Sequence, residues 1–303
     1  MSSPVVVLAG GTGGAKLARG MLDVVGGDSL AVIANTGDDI EIYGAYVSPD
    51  PDLVTFWLAD RIDERGWGLA GDTFNVMEGL KRLSVEVWFN LGDEDLAIGL
   101  ERARRLDRGE RLTEAHAAIA QALKAPGRIL PMSDTPVRTH IMAGDRWWPF
   151  QEYMIRSGGK GPVQDVDFRG ANNARPTPEA VEALATARAI VIGPSNPIIS
   201  IAPILAVPGI REAITDSEAP VVAVSPFVGG QVMKGPTAAF MEWTGRPLTS
   251  DGIAQCYDQL IDGLVADARA SAVPTLETNV LLDTGDARRR VAEDTLRFAL
   301  ALG

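Results

Sequence analysis

Residues that build most metal and nucleophile sites are nearly missing from this chain: its 303 residues include one cysteine and two histidines. A single cysteine excludes a disulfide framework and a cysteine-ligated metal cluster. Cys256 falls in a helix-like stretch, Gly252 to Ala270, and reads as a buried, inert thiol. His116 lies inside a helical run and His140 begins a strand-like one, so neither a Ser-His-Asp nor a Cys-His device has support. Positive charge is scarce as well. With 28 Lys and Arg against 40 Asp and Glu, the net charge of −12 argues against nucleic acid or an anionic membrane surface as partner, since both reward basic patches. No apolar run approaches the roughly 18 residues of a membrane-spanning helix. The chain passes from Met1-Ser2-Ser3-Pro4 straight into its first apolar run with no basic leader, so a cytoplasmic protein is expected. Repeats, low-complexity tracts and long linkers are absent too.

Glycine is abundant, and it is concentrated where it matters. Gly10-Gly11-Thr12-Gly13-Gly14 follows the run Val5 to Ala9 and precedes a helix-like stretch, Ala15 to Val25. In that order a strand enters a glycine turn and a helix leaves it, so backbone N–H groups and the helix dipole converge on an anion, expected to be a phosphate. The turn fits neither standard template. A dinucleotide fingerprint from Gly11 needs Gly where Lys16 stands, and a Walker A loop from Gly10 needs Gly at Ala15 and Ser or Thr at Leu17. Lys16 can still reach a phosphate as a point charge, and a side chain at Gly13 is expected to intrude where that phosphate sits. An acidic chain that holds polyphosphate needs a local cation, so a divalent metal is expected.

Three further apolar runs end in polar turns: Leu30 to Ala34 before Asn35-Thr36-Gly37-Asp38-Asp39, Ala189 to Ile192 before Gly193-Pro194-Ser195-Asn196-Pro197, and Val221 to Val224 before Ser225-Pro226-Phe227-Val228-Gly229-Gly230. Continuous Val, Ile and Ala runs read as parallel strands buried on both faces, and the turns past their carboxyl ends are where open α/β sheets bind ligands. The length suggests about two domains. We expect an α/β, Rossmann-like three-layer parallel sheet formed by residues 1–52 and 127–303, with a mostly helical subdomain, 53–126, inserted.

Within the insert, Asp93-Glu94-Asp95 opens a helix whose apolar face is Leu96, Leu100, Ala103 and Leu106; Arg102, Arg104 and Arg105 read as its solvated end. A second helix spans Thr113 to Leu123. Beyond it, Thr139 to Met142 and Trp147 to Tyr153 flank Gly144-Asp145 and suggest a hairpin, in which Trp147 and Trp148 point to opposite faces and serve packing. A last helix is expected over Ala287 to Leu302. Asp38, Asp39, Asp50 and Asp52 follow the second strand, a set of hard oxygen donors suited to Mg²⁺ beside nucleotide phosphates. Ser195 lies outside any Gly-x-Ser-x-Gly elbow and reads as a hydrogen-bonding residue.

Seven segments in order, the glycine loop with Lys16, Asn35 to Asp39, Ser48-Pro49-Asp50, Leu91-Gly92-Asp93, Leu130 to Asp134, Phe150 to Tyr153 and Gly193 to Ile198, together resemble the 2-phospho-L-lactate transferases of coenzyme F-420 biosynthesis. That resemblance implies attack by a side-chain hydroxyl of the deazaflavin Fo on a guanylated phospho-acid, release of GMP, assistance by Mg²⁺, and a homodimer. It further implies that Gly10 to Gly14, Asn35, Ser195 and Asn196 hold the guanine nucleotide, with Lys16 and Ser225 beside them. Asp38 and Asp50 would be catalytic, Asp38, Asp39 and Asp50 would hold the metal, and Asp50 would contact Fo with Asn90, Ser133, Asp134 and Arg138 as neighbours. Asn90 stands where archaeal members often carry Lys. A nucleotide-sugar-binding regulatory protein on the same core is the second reading; an NAD-dependent oxidoreductase is disfavoured by the failed fingerprint and by Asn35 where a ribose-binding acid is expected.

Overall fold

The computed structural model describes residues 3–229, 231–232 and 236–303; Met1, Ser2 and Gly230 of the segments above lie outside these. Seven strands form one all-parallel sheet: β1 (Val5–Ala9), β2 (Leu30–Ala34), β3 (Arg128–Pro131), β4 (Ala189–Ile192), β5 (Val221–Val224), β6 (Gly263–Ala266) and β7 (Thr275–Glu277), in the order β7-β6-β5-β4-β1-β2-β3. Every residue of β1, β2, β4, β5 and β6 is buried, as uninterrupted Val, Ile and Ala runs require. Alternate residues feed two separate cores. Val6, Leu8, Ile33 and Ile190 face one, with the helix Pro178–Ala185; Val5, Val7, Val32 and Val191 face the other, with the helix Gly285–Leu302. Helix, sheet, helix is the expected three-layer α/β arrangement.

The strand order fixes where a ligand belongs. From β1 the chain builds outward through β2 and β3, then returns to the opposite side of β1 to lay down β4 to β7. A crevice therefore opens outside the carboxyl ends of β1 and β4, where the direction of winding reverses.

Helix α1 (Gly11–Val25) returns the chain to β2 and buries Ala15, Leu17, Ala18 and Met21. Between β2 and β3 come a short hairpin (Ile40–Ile42 with Ala45–Val47) and helices α2 (Pro49–Leu58), α3 (Asn75–Arg82), α4 (Asp93–Leu106) and α5 (Leu112–Ala122). Helix α2 crosses position 52, and its Val54, Trp57 and Leu58 join the core beneath α1.

Several expectations are corrected. Arg102 is fully buried: its guanidinium pairs with both Asp52 oxygens and donates to the Tyr46 carbonyl at 2.8 Å, joining α4 to α2. Arg104 and Arg105 do bind locally, to Glu101 and Glu110. Leu100 is 45% exposed, so the buried face of α4 runs through Leu96, Gly99 and Arg102 instead. The stretch Gly252 to Ala270 is not one helix: Ser250–Cys256 is helical, and β6 follows. Cys256 is only partly buried, although its apolar surroundings push the thiol up to about 11 and keep it protonated.

The Gly144-Asp145 turn joins Arg138–Ala143 to Arg146–Pro149, and Asp165–Arg169 completes a three-stranded antiparallel sheet. The second run ends at Pro149, because Phe150–Ile155 is a helix. Trp147 stands opposite Met142 and Trp148 opposite Ile141, so the two indoles take opposite faces. Trp148 donates to the Ala143 carbonyl at 3.0 Å.

Candidate active site

The glycine turn is built into the first turn of α1. Gly10 is its extended N-cap and Gly11 takes φ +65°, a conformation that a Cβ would strain. The next glycines serve a different purpose. A Cβ at Gly13 would lie 2.0 Å from the Pro194 carbonyl oxygen, and one at Gly14 2.6 Å from Ser195 Oγ. Gly13 therefore permits close contact between the start of α1 and the turn after β4; a side chain there would strike protein backbone before any phosphate. Ser195 Oγ accepts from the Gly10 N–H at 3.3 Å, which ties the two turns together across the crevice.

Asp50 sits at the N-terminus of α1, although it belongs to α2. One carboxylate oxygen accepts from the Gly11 N–H at 2.7 Å and the other from Asn35 Nδ2 at 2.9 Å. Asn35 Oδ1 in turn accepts from the Gly37 N–H at 2.8 Å, holding the turn that carries Asp38. Asp50 is 5% exposed and Asp38 6%. Burial raises the Asp50 carboxyl to about 6; Asp38 is held well above the usual range by burial and by the neighbouring Asp50 charge. Three buried oxygens around this turn, Asp38 Oδ1, Thr36 Oγ1 and Thr139 Oγ1, make no well-formed hydrogen bond, although the Asn35 and Thr139 side chains lie close enough to Asp38 to favour its charged form. Buried polar atoms are almost always paired, so these oxygens have capacity to spare for a further partner.

Asp39 is used differently. Its two oxygens accept from Ser48 Oγ at 2.8 Å and Tyr46 OH at 3.0 Å, and Arg138 donates to the same Tyr46 hydroxyl. Burial brings Asp39 to about 7 against the pull of Arg138. Asp39 and Asp50 each have both oxygens engaged, Asp39 by the side chains that hold its loop and Asp50 by Gly11 and Asn35, so Asp38 is the least committed of the three carboxylates. Among the described residues no group of three or more His, Cys, Asp or Glu is arranged to hold a metal ion. Mg²⁺ does not require one, because it commonly rests on one or two carboxylates plus substrate phosphate and water.

The remaining predicted residues make contacts of their own. Lys16 lies over the Trp57 ring, 5.8 Å from its centroid. Asn196 Oδ1 accepts from the Ile198 and Ile199 N–H groups and caps the π-helical turn Pro197–Ile201. Ser225, past β5, accepts from the Phe227 N–H. Past β3, Ser133 Oγ donates to the Arg175 carbonyl, and Asp134 accepts from Thr113 at the start of α5 and pairs with Arg111. Asn90 is exposed and lies ahead of α4.

Two residues escaped the sequence reading. Asp95, taken as a helix-opening charge, is pushed to about 7 by burial and by Asp52 and Asp72, and its carboxylate lies 3.8 Å from where a Gly68 Cβ would be. Thr139 brings its hydroxyl beside the Asp38 carboxylate and a backbone N–H to the Gly37 carbonyl at 2.7 Å. Neither bears a motif; only the chain path brings them near.

A family model described as 2-phospho-L-lactate transferase CofD matches residues 5–296. A phosphoenolpyruvate transferase of Kitasatospora aureofaciens is 41% identical over 90% of this chain and 88% of its own length. A 2-phospho-L-lactate transferase of Methanocaldococcus jannaschii is 37% identical over 98% and 99%. A solved structure of a upf0052 family protein from Bacillus halodurans shares the fold, with TM-score 0.63 at 19% identity over 98% of this chain and 99% of that one. With a family model spanning nearly its whole length and relatives this similar, the chain belongs to the 2-phospho-L-lactate transferase family.

Proposed function

We propose that the protein transfers a phospho-acid group from a guanylyl diphospho-acid to the side-chain hydroxyl of the deazaflavin Fo, releasing GMP. The observation that carries the reading is Asp50 on the Gly11 N–H. The amide ladder of a helix N-terminus suits phosphate, and a carboxylate already lies against it. A polyphosphate can share that place with Asp50 only if a cation neutralises the repulsion. Asp38 and Asp50 fit Mg²⁺, which would draw charge from the transferring phosphoryl group.

The protein's own work is placement. The glycine turn and Ser195 hold the nucleotide end, Asn35 fixes Asp50, and the Asp39–Tyr46–Arg138 network holds the loop carrying Asp38. The Fo oxygen forms a bond to the phosphorus beside the acid, and the bridging oxygen leaves with GMP. The hydroxyl proton passes to whichever of Asp38 and Asp50 is not engaged by the metal, or to water. Transfer of this kind needs positioning and charge stabilisation more than covalent catalysis. The purified protein, incubated with Fo, Mg²⁺ and in turn the guanylylated forms of phospholactate, phosphoenolpyruvate and 3-phosphoglycerate, should yield a phosphodiester of Fo by mass and one GMP per product. Absence of any Fo adduct with all three donors would sink the reading. The transferase names of relatives at 36–41% identity support it over the regulatory alternative.

A further inference from the structure

An exposed tryptophan follows Gly66, the residue whose turn comes up against the glycine loop. Trp67 is 53% exposed, an unfavourable position for the largest apolar side chain. It lies on a turn closed by an Ile62–Leu69 bridge and by hydrogen bonds from Asp63 N–H to the Gly68 carbonyl and from Ala70 N–H to the Arg61 carbonyl. Leu69, 1% exposed, anchors that turn in the molecule.

The anchoring brings the tip to the site. A Cβ at Gly66 would lie 4.0 Å from Thr12 of the glycine turn, and one at Gly68 3.8 Å from Asp95. In the chain, Trp67 falls between these two glycines. On one face of its ring is the Arg65 guanidinium, 4.4 Å from the centroid and itself paired with Asp63. A ring fixed by a guanidinium on one side is pre-oriented to stack on the other.

We propose that Trp67, backed by Arg65, is a stacking platform for a planar heteroaromatic ring of a bound substrate. This rests on the transferase reading, which supplies two such rings, guanine and deazaflavin. Stacking of a base on an aromatic side chain is sequence-tolerant and strong enough to be read by substitution.

The test uses the full-length protein with Trp67→Leu and Trp67→Phe. GDP with Mg²⁺ is titrated by calorimetry, and Fo by its own fluorescence. Trp67→Leu should weaken one of the two ligands by about tenfold with an unchanged melting temperature, while Trp67→Phe retains most of the affinity. Loss confined to GDP assigns the ring to guanine, and loss confined to Fo assigns it to deazaflavin. Wild-type affinity for both ligands in Trp67→Leu overturns the inference alone. Wild-type protein that binds neither overturns the transferase reading, and the inference with it.

Discussion

Asp50 joins three segments through one carboxylate: α2, which carries it, the Gly11 N–H of α1, and Asn35 after β2. Replacement by Asn keeps the shape and removes the charge. Turnover of Asp50→Asn should fall by about 100- to 1,000-fold, the usual effect of losing one preorganised electrostatic contact, with melting unchanged or raised. Wild-type turnover at saturating Mg²⁺ would remove Asp50 from the chemistry. Asp95 offers a test of burial by pH. Its folded-state value near 7 lies above the ordinary 3.8, so the folded state binds the proton more tightly than the unfolded one. The stability this group contributes is complete below about 3.8 and is lost as pH rises through 7. Asp95→Asn should therefore melt close to wild type at pH 4 and several degrees above it at pH 8; an equal difference at both would show that Asp95 does not titrate in this range.

Among the elements, α1, α2 and α4 are joined by contacts that tolerate little change. Arg102 staples α4 to α2 through Asp52 with no exposure to water. Arg102→Leu should cost roughly 3–5 kcal/mol, since it leaves Asp52 buried without a counter-charge, and the double replacement Arg102→Leu with Asp52→Leu should recover most of it. Urea denaturation of the three variants measures this, and additive losses in the double variant would contradict a specific pair. Gly13 plays the corresponding part between α1 and the turn after β4. With the Pro194 carbonyl 2.0 Å from a built Cβ, Gly13→Ala should unfold at a markedly lower temperature than wild type before any question of nucleotide affinity arises. Unchanged melting would mean that the two turns are farther apart than described.

At the scale of the whole molecule, a chain of net charge −12 presents a polyphosphate with a hostile field, which the glycine-turn amides and, in the function proposed, a bound Mg²⁺ offset. GDP and Mg²⁺ together should raise the melting temperature by several degrees, because a ligand at about 100 times its Kd adds about 2.7 kcal/mol and each kcal/mol shifts a chain of this size by about 2 °C. GDP with a chelator should do much less. Stabilisation by a UDP-sugar or NAD in place of GDP would point to the regulatory or the oxidoreductase reading.

How much was legible beforehand depended on whether the signal was local. The runs forming β1, β2, β4 and β5 are continuous β-branched stretches that have no other stable use in a water-soluble core, so the strands, their parallel pairing and the polar turns at their ends could be read directly. The short strands Gly263–Ala266 and Thr275–Glu277 could not: the first is continuous with a helix-like run, and only pairing with β5 and with each other makes them strands. Glycine density announced a special turn at residues 10–14, but the reason for Gly13 is a carbonyl 181 positions away in the chain, at Pro194. Arg102 looked solvated because a charged residue near a helix end usually is; its partner is Asp52 on another helix. The sequence by itself determined the sheet, the turns and the kind of chemistry they suit, because those follow from side-chain shape and periodicity over a few residues. The tertiary structure decided which aspartate meets the glycine turn, which one is spent on holding a loop, and that Gly66, next to Trp67, comes up against Thr12, because each of these is a distance between segments that the chain's winding brings together.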